Sequence, residues 1–289
     1  MEREKLQALI SLLDDPDEAV FKLVEKELLK EEDLRTDELE NVWETSLDEL
    51  MQNRIENLIQ QIQFRETSRK IQSWSTKESV DLFEGFFLLS KYQYPELKEK
   101  SIRSQLKKIA SDVWLEINNR LTSIEKITVL NHILFDVNKF SLNANNLQLP
   151  QNCYLNQLLE TRKGNAISLT ILYALVARDL GFPIQIIDFP QNPLLAYIDQ
   201  EVARKAMGDD YDSNVLFYIN PANNGAIIGR KEIEYFMKKN ETIDESVLTT
   251  PCEDRKIIKL LIKNLIESYE LVGQNEKVND LSFIAGLLE

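Results

Sequence analysis

The run Ala166 to Leu180, AISLTILYALVARDL, leaves almost no polar face before Arg178 and Asp179. A helix that is apolar all round belongs at the centre of a fold. Gly181 stops it, Pro183 stands just beyond, and the β-branched run Ile184-Gln185-Ile186-Ile187 follows. Glycine after the last periodic residue, with proline a step later, marks a helix terminus. The chain is therefore expected to form around a buried helix that feeds into a strand. Upstream, a short helical run from Tyr154 to Glu160 leads into the turn Arg162-Lys163-Gly164-Asn165. Downstream, Ile184 to Phe189, Leu194 to Asp199, Val215 to Asn220 and Ala226 to Ile228 have the alternation of an antiparallel sheet. Asn223-Asn224-Gly225 reads as a hairpin-type turn and Arg230 to Lys239 as a helix.

The stretch Asn152 to Pro190 also carries a family pattern. Asn152, Tyr154, Leu155, Asn156, Leu159, Arg162, Gly164, Ile167, Ser168, Leu169, Leu172, Tyr173, Val176, Ala177, Arg178, Leu180, Gly181 and Pro183 fall on N-S-Y-L-N-x-x-L-x-x-R-x-G-x-P-I-S-L-x-x-L-Y-x-x-V-A-R-x-L-G-x-P. In this the chain resembles the SirB-type transglutaminase-like proteins, a bacterial family with a papain-like core. Weaker likeness extends upstream to about Ser123 and downstream to the C-terminus. The resemblance implies a mainly helical α+β fold in three parts. Residues 1–122 would form a helical, HEAT-like N-terminal region. Residues 123–249 would form the transglutaminase-like core, a small antiparallel sheet packed on the buried helix. Residues 250–289 would form a tetratricopeptide-like helical hairpin, broken at Gly273-Gln274-Asn275.

Papain-like chemistry needs a thiolate at a helix N-terminus, a histidine base, and an Asp or Asn to orient that histidine. Carried over from the resemblance, the nucleophile's place falls at Ala166, which has no nucleophile. The family's next motif, P-G-H-F-L-V, is met by Pro190-Gln191-Asn192-Pro193-Leu194-Leu195, so Asn192 stands at the histidine's place. A neutral amide neither accepts nor returns a proton near neutral pH. The third motif, I-D-P-F-N-G-G, is met by Ile219-Asn220-Pro221-Ala222-Asn223-Asn224-Gly225, with Asn220 at the orienting place. The resemblance thus implies a core without a catalytic triad, whose cleft is lined by Asn165, Asn192, Asn220 and Asn223. Amides of this kind hold a peptide or a small polar ligand by hydrogen bonds.

Charge limits the partners. Lys and Arg number 34 and Asp and Glu 48, for a net charge of −14. That argues against nucleic acid, which is held through phosphate neutralisation, and against an anionic membrane surface. No stretch approaches the ~20 apolar residues of a spanning helix, and the N-terminal MEREKLQALISLLDDPDEAV lacks a signal-peptide pattern. Cys153 and Cys252 are the only cysteines and have neither metal spacing nor a disulfide framework. No cofactor or metal is expected, and a reducing cytoplasm is the simplest setting.

At the N-terminus, Leu6, Leu9, Ile10, Leu12 and Leu13 line one helix and Val20, Phe21, Val24, Leu28 and Leu29 a second, joined at Asp14-Asp15-Pro16-Asp17 with Asp15 as the expected cap. Leu39, Val42, Trp43 and Leu47 are the next apolar anchors, before a long helix from Ser46 to Phe64 with Leu50, Ile55, Leu58, Ile59 and Ile62 inward. Ser75-Thr76-Lys77-Glu78 reads as the capped start of a helix from Val80 to Lys91, whose Phe83, Phe86 and Phe87 are expected in the core. Leu97 to Leu121 forms another, with Trp114 on its apolar stripe. Glu201 to Ser213 is expected as an exposed insertion, and its Asp209, Asp210 and Asp212 lack the EF-hand spacing. His132 is the chain's single histidine and is read as a structural, hydrogen-bonded residue.

Two functional classes follow, beside a purely structural reading in which the chain is a helical adaptor whose sheet domain spaces the N- and C-terminal helices. The first is a non-catalytic binding or scaffolding protein with a protein or peptide partner, through the cleft or the helical flanks. The second is a cysteine- or serine-dependent hydrolase or acyltransferase with a displaced nucleophile, Cys153 or Ser168. A bare hydroxyl without a base is a poor nucleophile, which weighs against the second.

Overall fold

A computed structural model describes residues 3–30, 36–190, 192–207, 214–239 and 248–288. Asp209, Asp210 and Asp212 lie outside the described residues. The chain divides into two compact units, Met1–Lys70 and Ile71–Glu289.

The first unit begins with α1 (Arg3–Ile10), α2 (Glu18–Lys30) and α3 (Asp37–Thr45), followed by α4 (Glu49–Ser75). Ile10, Leu13, Val24, Leu28, Leu39, Ile55, Leu58 and Ile62 bury one another. Arg54 closes the turn between α1 and α2, donating to Leu13 O at 2.9 Å and Asp15 O at 2.7 Å. The cap of α2 is Asp17, which accepts from Ala19 N at 2.8 Å, and not Asp15, whose carboxylate instead accepts from Asp17 N at 2.8 Å. Leu47 and Leu50 were expected inward but are exposed, because Leu47 sits in the link between α3 and α4 and Leu50 in the first turn of α4. The long helix does not stop at Phe64: neither Gly nor Pro occurs between there and Ser75.

The second unit holds α5 (Leu82–Gln93), α6 (Glu99–Glu116), the core, and the C-terminal hairpin. Helices α5 and α6 thus fall in one compact unit with the sheet. The reason lies in α5, which buries residues on all its faces, Phe83, Phe86 and Phe87 among them, and packs on elements late in the chain. Its cap is Asp81, accepting from Glu84 N at 3.0 Å, and not the Ser75 region. Ser75 ends α4 instead, and Trp74 Nε1 donates to Asp81 O at 2.9 Å. In α6 the buried residues are Ile102, Ile109, Ala110 and Val113, while Trp114, one residue further round, is exposed.

Thr122 and Glu125 form a capping box that starts α7 (Ser123–Asn131), which runs on into a π-helical turn, His132–Val137. Strands β1 (Ser141–Leu142) and β2 (Lys163–Gly164) then pair in parallel, enclosing the short turn Pro150–Cys153 and α8 (Leu155–Thr161). Helix α9 (Ala166–Asp179) follows and ends as expected at Gly181, φ +71°. Strands β3 (Ile184–Ile187), β4 (Leu194–Ile198), β5 (Val215–Asn220) and β6 (Ala226–Ile228) make an antiparallel sheet in chain order. The protein is therefore a mainly helical α+β fold with a small antiparallel sheet on a buried helix. Between β4 and β5, residues 200–207 are not a bare loop. They form α10 (Gln200–Met207), capped by Asp199 and burying Ala203. Helix α11 (Arg230–Lys239) follows β6, and α12 (Asp254–Leu271) and α13 (Asn275–Gly286) pack on each other as the hairpin. Among the described residues no helix is long and apolar enough to cross a membrane.

Candidate functional site

The Asn165 side chain starts the core helix. Its Oδ1 accepts from Ser168 N at 2.7 Å, and Ser168 Oγ accepts from Asn165 N at 3.0 Å. This reciprocal pair is a capping box, with serine in place of the usual acid or amide. Gly164 is required beside it, since a Cβ there would lie 2.5 Å from Ser168 Oγ and 2.8 Å from Leu158 Cδ1. Ala166 is therefore the first residue of α9, at 8 % exposure.

The other two inferred triad positions sit at strand ends of the sheet that packs beside α9. Asn192 is exposed, two residues before β4. Pro193 O accepts from Thr170 Oγ1 at 3.2 Å, which ties the entry of β4 to the first turns of α9. Asn220 is the last residue of β5. With Leu195 opposite Ile219, the ladder sets Asn220 beside Leu194, at the same end of the sheet. The turn Pro221–Asn223 then packs against α9 and β1. Ala166 thus opens α9, while Asn192 and Asn220 lie at one end of the sheet that packs beside it.

The four expected amides differ in their freedom. Asn165 is only 6 % exposed and its side chain is fully committed: beyond the cap, its Nδ2 donates to Asn264 Oδ1 at 2.7 Å and Cys153 Sγ at 3.0 Å. It organises the first turn of α9, and neither atom of its amide is left without a partner. Asn192 and Asn223 are exposed. Asn220 Oδ1 is enclosed and accepts no hydrogen bond among the described residues.

Neither displaced nucleophile is activated. Burial pushes the Cys153 thiol up to about 12, with the Asn165 hydrogen bond acting in the opposite direction. Cys153 is fully buried, and its own donor contact is Asn264 Oδ1 at 3.6 Å. Ser168 is 0 % exposed, and its hydroxyl donates to Asn165 O at 3.2 Å. His132 is hydrogen-bonded as expected, but to Asp136: Nδ1 lies 3.1 Å from Oδ2, with the histidine side chain 53 % exposed. The residue before it does more. Asn131 Nδ2 donates to Gly225 O at 2.7 Å, and its Oδ1 accepts from Tyr173 Oη at 2.8 Å, so it fastens the turn after β5 to the middle of α9. No sequence pattern marks Asn131, although it stands beside the chain's single histidine, and none marks Asn264. No group of three or more His, Cys, Asp or Glu residues that could hold a metal occurs among the described residues.

A buried, capped helix beside a small antiparallel sheet defines an α+β core. The sequence profile of the transglutaminase-like superfamily matches residues 100–263, and the chain belongs to that superfamily. Among curated relatives, the mouse F-box only protein 21 is 29 % identical over 153 residues, which are 53 % of this chain and 22 % of that protein. A UPF0162 protein of Xylella fastidiosa is 25 % identical over 198 residues, 66 % of each chain. A UPF0162 protein of Buchnera aphidicola is 23 % identical over 161 residues, 56 % of this chain and 55 % of the relative. The matched region thus spans less than a quarter of the mouse protein and just under two thirds of the Xylella one. No solved structure matches significantly.

Proposed function

We propose that this chain is a non-catalytic, SirB-type member of the superfamily that binds a protein or peptide segment in the cleft at the amino end of α9. The observation that carries this reading is the residue set at the three motif positions: Ala166 opening α9, Asn192 before β4 and Asn220 at the end of β5. These side chains supply amide donors and acceptors but neither a nucleophile nor a base. The exposed amides of Asn192 and Asn223 suit a ligand that brings its own N–H and C=O groups, as a peptide backbone does. The bacterial UPF0162 relatives are consistent with the SirB-type placement. Catalysis by Cys153 or Ser168 is disfavoured by the raised thiol pKa and by the hydroxyl's bond to its own helix cap. The helical hairpin and the N-terminal helices would serve as flanks in a scaffold, and a reducing cytoplasm suits two buried, unpaired cysteines.

The test is an immobilised array of short peptides probed with the whole chain and with Asn223→Trp. Asn223 is exposed, so the added indole narrows the cleft mouth without entering the core. A set of peptides retained by the native chain and lost by the variant is the expected result. Peptides retained equally by both place binding elsewhere, and no retention at all removes the peptide-binding reading.

A further inference from the structure

Asn264 lies on α12, one residue past the end of the superfamily match. Its Oδ1 is the acceptor for Asn165 Nδ2 at 2.7 Å, and the Cys153 thiol points at the same oxygen at 3.6 Å. Asn165 therefore has two roles in one amide. Its oxygen closes the first turn of α9 through Ser168 N, and its nitrogen reaches the C-terminal hairpin. Asn264 is itself held in place: Ser268 Oγ donates to Asn264 O at 2.9 Å, and α12 packs on the Pro150–Cys153 turn and on α9. Two further polar contacts fasten the hairpin nearby, Tyr154 Oη to Tyr269 Oη at 2.9 Å and Tyr92 Oη donating to Asp280 Oδ2 at 3.0 Å.

A side-chain amide keeps its oxygen on one partner only while its nitrogen has acceptors on the other side. Without Asn264, the buried Nδ2 of Asn165 retains only a sulfur acceptor, which is weak. An unsatisfied buried donor favours rotation of the amide, and rotation takes Oδ1 away from Ser168 N. The cap of α9 then opens at the point where Ala166 meets the cleft.

We propose that Asn264 is a positioning residue for this site: it orients the Asn165 amide and so couples the C-terminal hairpin to the first turn of α9. The hairpin is on this account part of the site, and a partner or substitution that shifts α12 loosens the cleft. The consequence for ligand binding rests on the cleft reading above; the coupling itself does not.

The experiment is residue-resolved hydrogen exchange on the whole, ligand-free chain, comparing the native protein with Asn264→Leu and Asn264→Asp. Asn264→Leu removes the acceptor and is expected to speed exchange at Ser168 N–H by about tenfold, the scale of one lost hydrogen bond in a local opening. Amides from Ala174 to Ala177, deeper in α9, keep their native rates. Asn264→Asp keeps an acceptor oxygen and restores protection at Ser168, which a purely volumetric role would not do. Asn264→Ala serves if the leucine variant does not fold, with the same expectation at Ser168. Unchanged exchange at Ser168 in the variants lacking the acceptor overturns the proposal. So does a uniform rise through α9 and α12, which marks general loss of packing. A Ser168 response in a chain that retains no peptide on the array keeps the coupling and removes only the cleft reading.

Discussion

Tyr173 Oη donates to Asn131 Oδ1 at 2.8 Å, from the middle of the core helix to the last residue of α7. The Asn131 side chain turns its nitrogen to Gly225 O at 2.7 Å, so one amide joins three elements that are far apart in sequence. Gly225 has φ +71°, and a Cβ there would lie 2.0 Å from Asn131 Oδ1.

Substitutions at this junction have different expected sizes. Tyr173→Phe removes the donor to the half-buried Asn131 Oδ1 and should cost about 0.5–1.5 kcal/mol, the net worth of one hydrogen bond. Gly225→Ala should cost more, since the left-handed conformation alone costs roughly 1–2 kcal/mol for a side-chain-bearing residue and the clash with Asn131 adds to it. Asn131→Ala removes the clashing atom, so the double variant Asn131→Ala/Gly225→Ala should be more stable than the sum of the singles predicts, by at least about 0.5 kcal/mol. Urea denaturation of the four chains measures the coupling, and simple additivity would mean that the turn moves away from Asn131 without strain.

Gly85 lies inside α5, where alanine is normally preferred by about 1 kcal/mol. Packing outweighs that preference here. A Cβ at Gly85 would stand 2.5 Å from Trp74 Cζ2 and 2.8 Å from Cη2, and Trp74 is fully buried and held by its bond to Asp81 O. Gly85→Ala is expected to destabilise by about 1–3 kcal/mol, the range for overpacking. A thermal or denaturant midpoint at or above the native value would show that the indole has room to move.

The central part of the fold was legible because its signals are local. Gly181, Pro183 and the period of β3 to β6 locate the helix end and the strands within a residue or two. What escaped the sequence depends on contacts between distant residues. The cap of α5 lies at Asp81 because Trp74 belongs to α4 and bonds back to Asp81, which the Ser-Thr-Lys-Glu pattern does not encode. Asn165 looked like a cleft residue because of its place in the motif. Its commitment to Asn264 comes from a helix 99 positions later. The candidate positions Ala166, Asn192 and Asn220 come from the motifs alone, in chain order. The polar supports Asn131 and Asn264 carry no periodicity and were visible only in three dimensions.

Alkaline pH should weaken the protein in part through its two thiols. Burial raises Cys153 and Cys252 from the ordinary 9.0 to about 12 in the fold. The folded chain therefore holds these protons more tightly than the unfolded chain. A raised pKa contributes stability that is fully present below the unfolded value and is lost as pH climbs through the folded one. Stability should fall across pH 9 to 12, and Cys153→Ala/Cys252→Ala should make that fall shallower while lowering the neutral-pH plateau through lost packing. Denaturation midpoints collected across the window decide this; parallel curves for both chains would show that the thiols are not titrating with unfolding. The same burial predicts that native Cys153 resists alkylation at neutral pH.

Restoring a nucleophile at Ala166 tests the assignment of the three positions directly. Ala166 is the first residue of α9, and a thiol at a helix N-terminus is favoured as thiolate by the helix dipole and the free N–H groups there. In a Cys153→Ala/Cys252→Ala background, the thiol introduced by Ala166→Cys should be alkylated at pH 7 at least about tenfold faster than Cys153 of the native chain. Adding Asn192→His places an imidazole at the entry of β4, which Pro193 and Thr170 tie to the same end of α9. If the two positions face each other, the pH midpoint of alkylation should drop by about one unit or more, as a neighbouring imidazolium favours the thiolate. Asn220, at the end of β5, would then be the residue placed to orient that imidazole. An unchanged midpoint would mean that Asn192 is not turned toward Ala166.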